Sequence, residues 1–304
     1  MALDVDVLCV GHACFDLVFC VARHPGPDEK TIADQLISCG GGPAANAAVA
    51  VARLGLRAAY AGYLGNDLYG QTHFQELQAE AVATDFVVRG TSPTPISVIL
   101  VKPDGARTVV NYRRSAAALS AGAIDFAPGR FKIILFDGHE AHLSLDLLDQ
   151  GLGIGVVTVL DAGSVHLGTR QLVSRVDYLV ASEKFACGYT GEKDPWPALL
   201  KLGEIAPVVI VTRGENGLVW KHPDYGSGRL NAFHVAAVDT TGAGDAFHGA
   251  FCAGLASGRS WAELLRFASA AGALCCTQTG ARPALPDAQQ VSKFLSRQGQ
   301  SGTR

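Results

Sequence analysis

The chain has 304 residues, 48% hydrophobic and 17% charged, with a formal net charge of −3. That balance describes a well-buried globular protein and excludes a disordered one. It leaves no basic footprint for nucleic acid, and no apolar run is long enough to span a membrane.

The first six residues carry acids and lack the basic region of a signal peptide. Eight cysteines are scattered without Cys-x-x-Cys spacing, and Cys275 and Cys276 are adjacent. They read as small buried hydrophobes of a reducing cytoplasm.

The apolar run 5–10, closed by Gly11, predicts a buried strand. Asp16 follows, locally a turn or cap residue. A Pro/Gly-rich turn at 24–29 leads to Lys30. The run 32–38 then reaches Gly40-Gly41-Gly42-Pro43-Ala44-Ala45-Asn46. This string opens a helix over 44–54, with Pro43 suited to its start. It is not a P-loop, because the Gly-Lys-Ser/Thr ending is absent. A strand over 58–62 and a helix over 72–80 come next.

Two β-rich runs, 97–101 and 108–112, flank the hairpin-like turn Lys102-Pro103-Asp104-Gly105. With 17–21 and 32–38 they predict a small separate sheet. Such a sheet needs a cover on one face, for which Val98, Leu100, Val109 and Tyr112 supply apolar groups. From 133 onward strands and helices alternate: 133–136, 143–148, 155–160, 167–173, 178–181, 197–202 and 208–212. That rhythm predicts a parallel sheet with helices on both faces, its ligands beyond the C-terminal strand ends.

The stretch Val238-Asp239-Thr240-Thr241-Gly242-Ala243-Gly244-Asp245-Ala246-Phe247 carries the chemistry. A β-like run at 233–238 precedes it and a helix over 246–255 follows. Gly242 and Gly244 permit a tight turn and leave room for a ligand. The free amides of a helix start then make an anion site. Asp245 beside it is either a helix cap or a carboxylate that accepts a proton from an attacking hydroxyl.

The run Asp239 to Phe247 closely resembles the C-terminal signature of the ribokinase/PfkB family of sugar kinases. Gly41, Gly42 and Asn46 match its N-terminal Gly-Gly-x-x-x-Asn. Further resemblances are the Gly-x-x-Gly-x-Asp-x-x-Gly stretch at 62–70, the Thr-x-Gly-x-x-Gly of Thr212, Gly214 and Gly217, and the loop 277–286 that contains Gly280. The resemblance implies an α/β fold, ribokinase-like, with a central mostly parallel sheet, helices on both faces and a small β-sheet lid. One domain would cover 1–298, its lid formed by about 12–38 and 91–115, with a loose tail at 299–304.

The resemblance also implies the roles. Asp245 is the catalytic base, and the amides of Gly242, Ala243 and Gly244 form the anion hole. Asp16, Gly41, Gly42 and Asn46 hold the sugar. Thr212, Gly214, Gly217 and Gly280 border the nucleotide. ATP and Mg²⁺ are implied, with a monovalent cation such as K⁺ near Asp239, and the lid as a homodimer contact. Many members carry Asn-x-x-Glu where this chain has Ser182-Glu183-Lys184-Phe185; Glu183 is the expected stand-in, acting on Mg²⁺ through water.

In motif detail the chain resembles ketohexose kinases, sulfofructose kinases in particular, which implies the C1 hydroxyl as acceptor. Lys30, Asn111, Arg113 with Arg114, and His139 would face an anionic C6 end, although each cation alone reads as a solvated surface charge. A ribokinase or nucleoside kinase is the alternative.

Other classes fit less well. His139-x-x-His142 is spaced i, i+3, not the i, i+4 of a zinc protease helix. A dehydrogenase would need Gly-x-Gly-x-x-Gly after the first strand, where this chain has Gly11-His12-Ala13-Cys14. A non-catalytic sensor of the same fold would have no use for Asp245 as a base.

Overall fold

The computed structural model describes residues 4–112, 119–125, 131–151 and 155–300. Arg113 and Arg114 lie outside the described residues, as does the tail from 301.

The first strand, β1 (Val5–Val10), is buried on both faces. It is followed by β2 (Cys14–Cys20), β3 (Gln35–Gly41), α1 (Pro43–Arg53) and β4 (Ala58–Gly65). Then come α2 (Leu68–Ala79), β5 (Ala83–Gly90), β6 (Ile96–Val101) and β7 (Arg107–Tyr112). The alternating part holds β8 (Phe131–Phe136), α3 (Ala141–Gly151), β9 (Val157–Ala162), α4 (Leu167–Leu172), β10 (Tyr178–Ser182), α5 (Glu183–Thr190), α6 (Pro195–Leu202) and β11 (Val208–Thr212). A hairpin of β12 (Leu218–His222) and β13 (Gly226–Leu230) precedes the helices α7 (Ala243–Ala256), α8 (Trp261–Cys275), α9 (Ala281–Ala284) and α10 (Ala288–Gln300).

Nine strands form the main sheet in the order β13-β12-β11-β10-β9-β8-β1-β4-β5. It is parallel except where β12 and β13 pair antiparallel at one edge. The period-two rule sorts its side chains. Val7, Cys9, Ile133, Leu135, Val180 and Ile210 join the core layer under α1, α7 and α8. Leu8, Val10, Ile134, Phe136, Leu179 and Val209 join the opposite layer. The chain leaves β1 toward β4 and β5 in one direction, and from β8 onward it builds in the other. The crevice beyond the β1 and β8 ends is therefore the switch point where such sheets take ligands.

The second sheet has the order β3-β2-β6-β7. Its register lines up residues far apart in sequence. Cys39, Asp16, Ser97 and Asn111 form one cross-strand row, and Ile37, Val18, Ile99 and Val109 the next. These rows face the main body. Val109 is thus on the inner side, opposite buried Ile99, and not with the outward pair Val98 and Val110. The turn between β6 and β7 closes as expected, with Lys102 N donating to Ala106 O at 3.0 Å.

Several expectations shift. The segment 233–238 is not a strand; Phe233, Val235 and Ala237 line a cavity instead, and Phe233 meets Phe294 edge-on. Helix α2 starts at Leu68 because Asp67 caps it, accepting from Gly70 N at 2.8 Å. Helix α5 follows β10 without a loop, because Ser182 ends the strand and caps the helix, accepting from Phe185 N. Helix α10 runs to Gln300, two residues into the stretch expected to be loose.

Candidate active site

Small side chains bring two helices together at the centre. A Cβ on Gly249 of α7 would lie 2.6 Å from Ala50 Cβ and 2.7 Å from Ala47 O of α1, closer than a carbon can approach. That contact puts Asn46 of α1 within reach of Asp245 of α7: its Nδ2 donates to Asp245 Oδ2 at 2.7 Å. Gly249→Val is expected to wedge the helices apart, costing about 1–3 kcal/mol of stability, and to lower turnover with it. Thermal unfolding and kcat on one preparation check this; a variant unchanged in both would show that the seam does not set the contact.

Helix α7 begins at Gly242, whose φ of 80° is left-handed, and no side chain caps it. The positive end of its dipole lies at this turn, the arrangement that binds phosphate; of its first amides, that of Ala243 makes a long 3.4 Å bond to Thr240 O. Asp245 stands in that first turn. Burial, then the charge of Asp161, push its carboxyl up to about 7, against the hydrogen bond from Asn46, which lowers it. Near neutral pH such a group both accepts and releases a proton, as a general base must.

Two cavities meet here. One, about 330 Å³, is lined by Asp16, Gly42, Asn46, Asn111, His139 and Asp245 among others. The other, about 380 Å³, is lined by Thr212, Gly214, Gly217, Ala243 and Gly244, with Phe233 and His234. The start of α7 is the wall between them. An acceptor hydroxyl on one side and a phosphoryl group on the other would meet at Asp245.

Sequence reading missed several groups that build this site. Asp137, after β8, accepts from the backbone amides of His12 (2.7 Å), His139 (2.8 Å) and Ala44 (3.3 Å), tying the β1 and β8 ends to α1. Buried Arg282 donates from Nε to Asn46 Oδ1 at 3.1 Å. Arginine has no acceptor, so this bond orients the Asn46 amide with its NH₂ toward Asp245. Arg282 also donates to His73 Nε2 at 3.0 Å; burial, then the nearby Arg282 charge, holds that imidazole neutral. Asp161 and His248 form a second buried group below Asp245. A lone Asp after an apolar strand and an Arg in a loop were the available signals, and neither names its partner.

Asp16 is buried on the lid strand β2 and accepts from Cys14 Sγ at 3.2 Å; burial raises its carboxyl above the usual range. Gly41 packs directly over that carboxylate, where a Cβ would collide. Asp239 accepts from Thr241 N (2.9 Å), Thr241 Oγ1 (2.7 Å) and Gly280 N (2.8 Å). Gly280 thus braces the signature loop and is not among the lining residues of the second cavity. Lys30 is exposed before β3, away from the first cavity's lining. Glu183 lies 3.5 Å from Arg213 Nε. The tip of the small sheet rests on the signature loop, where Arg107 donates to Thr240.

A carboxylate poised near pH 7, a helix start open to an anion and two adjoining cavities define a site for phosphoryl transfer to a hydroxyl. The match to the model of the pfkB family carbohydrate kinases covers residues 4–288. Fructokinase-2 of Solanum habrochaites is 30% identical over 292 residues, which cover 84% of this chain and 86% of that protein. Ribokinase of Bacillus subtilis is 26% identical, covering 96% and 99%. The structure of Arabidopsis thaliana ribokinase complexed with ribose and ATP superposes with a TM-score of 0.82 at 25% identity, covering 96% and 99%. The chain belongs to the pfkB family of carbohydrate kinases, and it is a sugar kinase.

Proposed function

We propose that the protein transfers the γ-phosphoryl group of ATP to a hydroxyl of a ketohexose such as fructose, the C1 hydroxyl being the one its resemblance to ketohexose kinases implies. The observation that carries the transfer is Asp245 on the wall between the two cavities. Asp245 accepts the hydroxyl proton as the oxygen attacks. The amides at Gly242, Ala243 and Gly244 meet the charge that develops on the phosphoryl oxygens. Asp16, Gly42 and Asn46 hold the sugar, with Gly41 seating Asp16. Thr212, Gly214 and Gly217 border the nucleotide.

Among the described residues no three His, Cys, Asp or Glu side chains converge into a metal cage. An ion held chiefly by phosphates and water needs no such cage; Glu183, which the resemblance makes the stand-in, lies beside Arg213 and would act through water. Mg²⁺ would neutralise charge on the transferring phosphate. The K⁺ implied near Asp239 would be held by backbone carbonyls, since the Asp239 carboxylate is already taken by its three donors.

An anionic C6 group would need cations over the sugar. Asn111 and His139 line that cavity, whereas Lys30 is off its lining. Arg107 lines it too but is turned to Thr240. Among the described residues, which leave out Arg113 and Arg114, a neutral ketohexose is the better fit, in keeping with the fructokinase relatives. The test is ADP release over fructose, fructose 6-phosphate, 6-deoxy-6-sulfofructose, ribose and nucleosides, with the product position read by NMR. Fructose should give the highest kcat/KM; a clear preference for ribose or a nucleoside would replace the ketohexose reading.

The outer face of the lid exposes Leu36 and Val110, at 55% and 62%, and β7 is an open edge. That supports a homodimer through the lid. Sedimentation at rising concentration should show it, and a monomer throughout would overturn it.

A further inference from the structure

Below the N-terminus of α7 lies a histidine that the transfer reaction does not call for. His248 is one turn past Gly244 and 4% exposed. Its Nδ1 is 2.6 Å from Gly244 O and 3.4 Å from Asp161 Oδ2, and its Nε2 is 3.2 Å from Val180 O. Carbonyl oxygens only accept. Both ring contacts are hydrogen bonds together only when both nitrogens carry hydrogen, and a ring in that state is a cation. Asp161, 7% exposed at the end of β9, is the carboxyl beside it; burial raises that carboxyl above the usual range, and the charge of His248 against it favours its ionised form.

We infer that His248, held as an imidazolium by Asp161, is a positioning residue for Asp245 and for the amides at the start of α7. The Gly244 carbonyl belongs to the peptide whose N–H is that of Asp245. A cation donating to this carbonyl polarises the peptide and strengthens the N–H as a donor. It also cancels the Asp161 charge, which otherwise faces Asp245 across the core. An ordinary buried histidine would anchor the helix and leave the base unaffected.

The other groups facing Asp245 are few. Asp16 from β2 adds negative charge, and Asn46 from α1 donates to it with Arg282 behind. The thiols of Cys14 and Cys275 are held neutral chiefly by burial. Around Asp161 the further charges are Asp137 and His139, beyond β8. Asp161 raises the Asp245 carboxyl and His248 lowers it, in line with the geometry.

The inference rests on Asp245 being the base, so Asp245→Asn is the control. Turnover against pH is measured at saturating Mg-ATP and sugar for the unsubstituted enzyme, His248→Gln and the double variant His248→Gln/Asp161→Asn. Titration of ATP itself is common to all three and cancels in the comparison. His248→Gln leaves Asp161 uncompensated and should move the acid limb up by about half a unit to one unit, the smaller range of a neighbouring charge. The double variant removes both charges and should return the limb to its original place. The double variant carries the test even if the single one unfolds: it must fold and turn over with the original limb. A double variant that is inactive or still shifted overturns the inference while leaving Asp245 as base. An active Asp245→Asn overturns both.

Discussion

Asp245→Asn is expected to lower kcat by about 10²-fold or more, the usual scale for losing a general base, with nucleotide affinity retained. Stability should move the other way. The carboxyl is pushed up to about 7 from an ordinary 3.8, so the folded state binds a proton there more tightly than the unfolded chain. At pH above 7 it is ionised in both states, and the folded protein carries a penalty on the order of 4 kcal/mol. That penalty shrinks as pH falls below 7 and is gone only below the ordinary 3.8. The neutral amide avoids most of it, and its oxygen can still accept from Asn46. The variant should therefore unfold at a higher temperature than the unsubstituted enzyme at pH 8, with the difference narrowing below pH 7 and small only at about pH 3.5, where the unfolded carboxyl is protonated too. The unsubstituted enzyme itself should lose activity below about pH 7 as the base is protonated. Turnover and thermal unfolding at both pH values check this; near-normal turnover would remove Asp245 from the mechanism.

Gly242→Ala should be nearly as damaging to turnover, for a different reason. Its φ is 80°, a region that costs an L side chain roughly 1–2 kcal/mol. The new Cβ would also lie 2.6 Å from Ala281 Cβ and 2.8 Å from Ala281 Cα. The loop must move, and the amides at the helix start lose their aim. Misplacing one donor of an anion hole costs about 10²–10³ in kcat, so a fall of about 10²-fold is expected, with a lower melting temperature. Gly244→Ala is the contrast. A Cβ there meets no atom within 4 Å, and Gly244 lines the second cavity, proposed for the nucleotide. That variant should keep its stability and show its effect in the nucleotide KM. Equal losses of stability in both variants would refute the distinction.

The signature around Asp245 was legible because its chemistry is local. A glycine turn, a helix start and a carboxylate in the first turn all lie within one short run, so their spacing already states the geometry. The strand and helix rhythm was legible for the same reason, as hydrophobic periodicity reports burial on one face or two. The misread segments fail where local pattern and tertiary role differ. The run 233–238 is apolar because it lines a cavity, not because it pairs in a sheet. Strand β5, over which no element was expected, lies at the sheet edge with one buried, one exposed and six half-buried positions and carries little alternation.

By itself the sequence determined the class of chemistry and the parallel α/β architecture, since both are written in short-range patterns. Tertiary structure alone decided which distant residues serve the base. Asn46, Arg282 and Asp161 come from α1, α9 and β9, and nothing in their spacing pairs them with Asp245; His248 stands one turn along α7, but only the fold brings Asp161 to it. They meet because the Gly249 seam draws α1 onto α7 and the parallel order puts β9 and β10 beside that helix. The interactions that tune a buried carboxyl act through space across a few ångströms, and chain separation does not encode such distances. The same holds for the small sheet, where pairing register sets Asp16, Ser97 and Asn111 in one row over the cavity that holds Asp245.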